Sequence, residues 1–161
     1  MNKWFSQIVN ELNEEVIKEY NSIEDFPENT YGFVYIVTHI PTGKAYVGKK
    51  VLQHNLTKKL TKKELAEQTG PGRRSVSKKV QKESDWKTYW GSSKELLTDV
   101  KQLKDEHFEC IILQLCKTKK ELTYYEMHYQ CVNECITCST HHSYNDNVLG
   151  KFFRKDFVTQ A

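Results

Sequence analysis

Two short apolar runs joined by a tight turn constrain this chain more than any other feature. Residues 31–37 (Tyr-Gly-Phe-Val-Tyr-Ile-Val) are β-branched and aromatic and read as a strand, and Lys44–Val47 reads as its return. Pro41-Thr42-Gly43 between them is turn chemistry, with proline presetting φ and glycine accepting the positive φ that closes a loop. The result is a hairpin with one tyrosine in each arm, Tyr35 and Tyr46. A loop symmetric about the Ile40–Pro41 junction sets the two tyrosines directly opposite each other on one face, whereas a bulge at Gly43 sends them to opposite faces.

The remaining chain supplies what such a hairpin needs for burial. Trp4, Phe5, Ile8, Val9, Leu12, Val16, Ile17 and Tyr20 recur at steps of three and four, which predicts an amphipathic helix over residues 3–20 with an acidic outer face. Leu96, Val100 and Leu103 give a helix near 93–104, residues 107–115 a third strand, and residues 119–133 a second core helix. The expected fold class is therefore α/β (α+β), with a three-stranded antiparallel sheet near 32–38, 44–49 and 107–115 flanked by helices. Its expected organisation is an acidic helical extension (1–30), a core domain (31–150) carrying a basic insertion (49–87), and a basic C-terminal tail (151–161).

Charge is unevenly placed. Residues 1–30 carry two basic and seven acidic side chains, whereas residues 49–87 carry twelve basic and four acidic ones within a chain whose net charge is only +3. The basic set comprises Lys49, Lys50, Lys58, Lys59, Lys62, Lys63, Arg73, Arg74, Lys78, Lys79, Lys82 and Lys87. Such a block suits a polyphosphate partner, and DNA is the expected one. Thr61 to Glu64 matches a capping box for a short helix inside it, ended by Gly70-Pro71-Gly72. No apolar run reaches the ~18 residues of a membrane helix, and the amino end lacks the order of a secretory signal, so a cytoplasmic location is expected.

Counting the hairpin itself, five pieces arrive in a recognisable order: Phe33-Val-Tyr35 with Tyr46-Val-Gly48, then Gly91-Ser-Ser, Phe108 to Leu113, Lys120 to Glu126, and Tyr144-Asn145. This ordered set resembles the GIY-YIG nuclease family, in particular its phage homing-type, Seg-like members, over roughly residues 31–150. The resemblance implies a freestanding DNA endonuclease that hydrolyses phosphodiester bonds with Mg²⁺ or Mn²⁺. It also implies that Glu126 is the sole protein ligand of the metal. Tyr35 or Tyr46 then acts on the attacking water, Asn145 orients the phosphate or Glu126, and an arginine or lysine stabilises charge at phosphorus. Arg74 is the first choice for that cation, with Arg73 and Lys78 behind it. Lys49, Lys50, Lys58, Lys59, Lys62, Lys63, Arg73, Lys78, Lys79 and Lys82 are the expected DNA contacts. The chain departs from the family pattern at Phe33, with Gly32 one position earlier, at Val47, and in lacking a histidine near Gly91.

Five cysteines, an odd number, read as free thiols or metal ligands. Cys131, Cys135, Cys138 and His141 offer soft ligands at short spacing for a tetrahedral zinc site, against the commoner outcome of buried thiols. Two rival functions remain beside the nuclease: a nucleic-acid-binding module of the same fold without catalysis, and an interaction protein that presents its acidic amino-terminal segment to a basic partner. The oligomeric state is open, a homodimer included.

Overall fold

The computed structural model describes residues 2–9, 14–140 and 142–158. By contact it divides into two compact units, residues 1–52 with 85–161, and residues 53–84.

The larger unit is built on one five-stranded sheet. In chain order its strands are β1 (Trp4–Val9), β2 (Glu15–Tyr20), β3 (Gly32–His39) and β4 (Lys44–Val51), followed after the second unit by β7 (Phe108–Cys116). Their spatial order is β2-β1-β7-β3-β4. The β1–β7 pairing is parallel and the others are antiparallel. Helices α2 (Lys94–Leu103) and α3 (Lys119–Val132) complete the unit, with a two-residue ribbon of β8 (Asn147–Val148) and β9 (Phe152–Phe153) after them.

Strand alternation sorts the core into two layers. Phe33, Tyr35 and Val37 point to one face of β3 and bury Trp4, Phe26, Trp86 and Leu96 of α2. Val34 and Val47 point to the other and bury Leu122 of α3 with Cys116 and Cys135. Helix α3 starts at a capping box. The Thr118 hydroxyl accepts from the Glu121 amide at 3.1 Å, and the Glu121 carboxylate accepts from the Thr118 amide at 3.3 Å.

Two expectations are corrected. The central antiparallel trio is present, but the sheet has five strands rather than three. Within the stretch expected to form a helix over 3–20, Trp4–Val9 and Glu15–Tyr20 instead pair as the antiparallel strands β1 and β2, and residues 10–13, Leu12 among them, lie outside the described residues. Trp4 and Ser6, two apart, are both buried, and the Ser6 hydroxyl meets the Tyr20 hydroxyl at 3.0 Å across the pair. A period of two thus prevails over the helical reading because β7 offers β1 a strand to pair with, and aromatic and β-branched residues favour the pleated surface. Among the described residues no helix is long and apolar enough to cross a membrane.

The second unit is an antiparallel ribbon of β5 (Gln53–Lys59) and β6 (Ser77–Glu83) with the short helix α1 (Lys62–Ala66) between them. The Thr61–Glu64 capping box forms as expected. The Lys78 ammonium pairs with Glu64 and, with the Thr61 amide and hydroxyl, holds that carboxyl down at about 2. Lys49 and Lys50 belong to β4, so the segment set apart by contact begins later than residue 49.

Trp4 is fully buried, packs edge-on against Phe33 and Tyr35 at 5.2 and 5.0 Å between ring centroids, and donates its indole N–H to the Trp86 carbonyl at 3.0 Å. Trp4→Ala is expected to cost about 3–5 kcal/mol, read from the shift of a urea unfolding midpoint at unchanged slope.

Candidate active site

Strand β4 has a β neighbour on one side only, and the chain closes its free side with residues 142–145. Ala45 donates its amide to the His142 carbonyl at 2.9 Å and accepts from the Tyr144 amide at 2.8 Å, as a neighbouring strand would do. Two residues on, a side chain takes over. The Asn145 carboxamide accepts from the Val47 amide and donates to the Val47 carbonyl, both at 2.8 Å. Gln130 of α3 donates to the same carbonyl at 3.1 Å. Asn145 and Gln130 are both buried, and the Gln130 Oε1 has no hydrogen-bond partner.

The hairpin register pairs Tyr35 with Gly48 and Val37 with Tyr46. The loop is thus symmetric about Pro41–Thr42, one residue later than expected. The tyrosines stand diagonal rather than directly opposite, and they share a face because each lies two residues from the other's partner. Their ring centroids are 6.2 Å apart. Tyr35 is sealed in the core, its hydroxyl has no partner, and burial, reinforced by Tyr46 and Tyr89, pushes its ionisation well above the ordinary phenol value. Tyr46 reaches further out, to a 2.9 Å hydrogen bond between its hydroxyl and that of Ser92, just before α2.

Two glycines make room for these rings. A Cβ at Gly48 would stand 2.6 Å from Cε1 of Tyr46 and 2.8 Å from the Tyr35 hydroxyl, and one at Gly91 would stand 2.7 Å from Cε1 of Tyr46. Gly91 also has φ +148°, a conformation that side-chain-bearing residues rarely adopt.

From the other face of β4 comes Lys49, whose ammonium lies 2.8 Å from the Glu126 carboxylate and 3.3 Å from the Thr123 hydroxyl of α3. Glu126, Gln130, Lys49 and Tyr46 line one cleft of about 570 Å³, together with Ser92, Lys94, Glu95 and Asn145. The cleft wraps the β4 edge, which is how a tyrosine from one face and a lysine from the other reach the same space.

Several expected site residues lie elsewhere. Tyr35 does not line the cleft. Lys50 points to the opposite face from Lys49, where its ammonium is 2.6 Å from Asp85 and 3.6 Å from the Tyr89 ring centre. Arg73 and Arg74 are exposed in the second unit, between α1 and β6, as are Lys58, Lys59, Lys62, Lys63, Lys78, Lys79 and Lys82 on its helix and strands. Among the described residues, the cysteines expected to bind zinc form no group suited to a metal. Cys131 is exposed, Cys135 is buried, and the Cys138 thiol meets the Thr140 hydroxyl at 2.9 Å. No group of three His, Cys, Asp or Glu suited to a metal occurs among the described residues, and His141 lies outside them.

Gln130 was not singled out from sequence, and Lys49, Ser92 and Arg154 were read in other roles. Gln130 carried a usable signal, since it follows Glu126 by four residues on one helix face. Lys49 was expected among the DNA contacts and Ser92 within the Gly91-Ser-Ser piece, and a long-range contact brings each to the cleft. Arg154 was read only as part of a basic C-terminal tail, but its guanidinium is turned inward. It donates to the carbonyls of Cys138 (3.1 Å), Asn145 (3.2 Å), Ser143 (3.4 Å) and Cys135. It therefore ties down the whole segment that carries Asn145 to β4. Arg154→Ala leaves those carbonyls without their donor. It is expected to cost about 2–3 kcal/mol in chemical denaturation and to speed hydrogen exchange at the Val47 amide. Arg154→Lys restores only part of this, because an ammonium cannot span the same fork.

Comparison with known proteins agrees with this geometry. The family model described as "Putative endonuclease segE, GIY-YIG domain" matches residues 16–148. Neither the curated proteins nor the solved structures yield a match. With the hairpin tyrosines, the α3 glutamate and the closing asparagine all in one unit, and the match covering most of its length, the chain belongs to the GIY-YIG endonuclease family.

Proposed function

We propose that this protein is a divalent-metal-dependent DNA endonuclease of phage homing type, and that phosphodiester hydrolysis takes place in the cleft at the β4 edge. The observation that carries this reading is the convergence of Tyr46, Lys49 and Glu126 from three directions onto one solvent-reaching cleft. Each alone has an ordinary structural explanation. Together they supply a hydroxyl to position water, a cation for phosphate oxygens and a carboxylate for a hard metal ion.

The donor set fits such an ion. Glu126 is a carboxylate with 16% of its side chain exposed, and no cage of three protein ligands surrounds it among the described residues. Mg²⁺ is typically held this way, by one or two carboxylates with waters and substrate phosphate completing its shell. Bound there, the ion polarises the phosphoryl group and neutralises developing charge.

The chain's own residues do the rest. Lys49, hydrogen-bonded to Thr123 and paired with Glu126, presents its ammonium where an incoming phosphate needs charge. It takes the role that Arg74 was expected to fill from the basic segment. Tyr46, fixed by Ser92, orients the attacking water. Tyr35 stays neutral and backs the Tyr46 ring. With its carboxamide bonded to Val47, Asn145 holds the β4 backbone that carries Tyr46 and Lys49 on either side.

Incubation with supercoiled plasmid tests the proposal: nicked or linear product is expected with Mg²⁺ or Mn²⁺ and none with chelator. Glu126→Gln should abolish product while DNA binding stays equal or tightens, since one negative charge leaves the phosphate site. Lys49→Ala should slow single-turnover cleavage by roughly 10²-fold, the scale of losing one preorganised charge donor. Full activity of Glu126→Gln in Mg²⁺ would refute the metal assignment, and binding without cleavage by the unaltered chain would make it a nucleic-acid-binding module.

A further inference from the structure

The β5–β6 ribbon has two unlike faces. Its register pairs Gln53 with Glu83, Asn55 with Gln81, Thr57 with Lys79 and Lys59 with Ser77 on one face. The alternate pairs, His54 with Lys82, Leu56 with Val80 and Lys58 with Lys78, form the other. The second face is anchored: it carries the ribbon's two aliphatic side chains, and Lys78 on it pairs with Glu64 of α1. On the first face there is no apolar residue, and apart from Ser77 every member is exposed.

Structural economy does not account for that first face. Asn, Gln and Lys gain little from a strand, and Asn is among the residues strands most avoid. Yet two carboxamides stand directly opposite each other within the ribbon, neither with an intramolecular hydrogen-bond partner among the described residues. Local rules broken without a packing return point to function. The polar groups have the chemistry that reads bases: a carboxamide matches the N6/N7 edge of adenine with two hydrogen bonds, and lysine matches the O6/N7 edge of guanine. The dimensions agree as well. A two-stranded ribbon fits the major groove, and side chains on one strand face recur about every 6.7 Å, close to two base-pair steps of about 3.4 Å.

We infer that the Asn55–Gln81 face of this ribbon enters the DNA major groove and reads base edges, making Asn55 and Gln81 specificity-determining residues for A·T pairs with Thr57, Lys59 and Lys79 beside them. The lysines of the opposite face, Lys58 and Lys82, contribute charge without sequence information. This rests on the DNA-acting reading of the chain, but it can fail separately from the cleavage chemistry.

The test is a binding selection. The full chain is incubated with a pool of randomised duplexes in the presence of chelator, and the retained fraction is separated by electrophoretic shift and sequenced. Unaltered protein should enrich a short motif containing A·T pairs, each worth roughly tenfold. The double variant Asn55→Ala/Gln81→Ala should flatten those positions while its affinity for the unselected pool changes less than about threefold, because no phosphate contact is removed. Lys58→Ala/Lys82→Ala should do the reverse, weakening binding to all sequences and lowering its salt dependence with the motif intact. Substituting 7-deazaadenine at the enriched adenines, which deletes the N7 acceptor in the major groove, should weaken binding of the unaltered chain but not of the double variant.

The inference is overturned if the double variant selects the same motif, if the unaltered chain enriches none, or if it retains no DNA. Selection of a motif by a chain that fails to cut plasmid keeps the ribbon assignment and removes the nuclease reading. Plasmid cutting without any motif does the opposite.

Discussion

The bond between the Asn145 carboxamide and the Val47 peptide is the contact on which the rest of the site depends. An edge strand carries a row of unpaired amides and carbonyls that invite pairing with another chain. At β4 that row is taken up internally, first by main chain at Ala45 and then by a side chain that imitates main chain at Val47. A carboxamide can do this because it presents one donor and one acceptor side by side, as a peptide does. An ordinary sixth strand would have covered the edge and closed the cleft. A single side chain satisfies the same backbone groups and leaves Tyr46 and Lys49 open to the cleft.

Tyr46 and Lys49 reach that cleft from opposite faces because of the pleat. Tyr46 faces the aromatic layer of Trp4, Phe33 and Tyr35, whereas Val47 faces α3, and Lys49, two residues on, shares that side and meets Glu126. One edge strand thereby gathers groups from both layers of the domain into one cleft. Crowding tightens the arrangement: Gly48 and Gly91 let the Tyr46 ring lie against backbone where any Cβ would collide with it. The buried Tyr35 hydroxyl is one of two buried side-chain polar atoms left without a partner among the described residues, Gln130 Oε1 being the other.

Much of this was legible in sequence, and the failures share a cause. The hairpin, the third strand and both long helices follow from local patterns such as alternation, the Pro41–Gly43 turn and helical spacing, and Glu126 and Asn145 follow from their order along the chain. Residues 3–20 also had a clean local pattern, but it was the wrong one, because apolar residues clustered in pairs satisfy a helix and a hairpin alike. Parallel pairing of Trp4 and Phe5 with Cys110 and Ile111, over a hundred residues away, decides between them. Lys49 was counted among the phosphate contacts of a basic segment because it stands at the head of the basic block that spans residues 49–87. Only the extent of β4 assigns it to the cleft. Arg154 shows the same limit: its charge suggested only a basic tail, whereas its geometry makes it the clamp of a loop.

Position along the chain gives a further reason to separate family pattern from folded unit. The family match spans residues 16–148, and it includes the hairpin, α3 and Asn145. Trp4 lies before it and Arg154 after it. Yet Trp4 is fully buried against the ring that backs Tyr46, and Arg154 holds the carbonyl of Asn145 itself. The groups proposed to carry chemistry fall inside the match, while two that hold them in place fall outside it. Positioning can be solved by whichever residue reaches the right carbonyl or fills the right volume, so it leaves no fixed motif. A cleft proposed to present a hydroxyl, an ammonium and a carboxylate to one phosphate has far fewer solutions, so its tyrosine and glutamate can be read as a pattern, whereas their supports cannot.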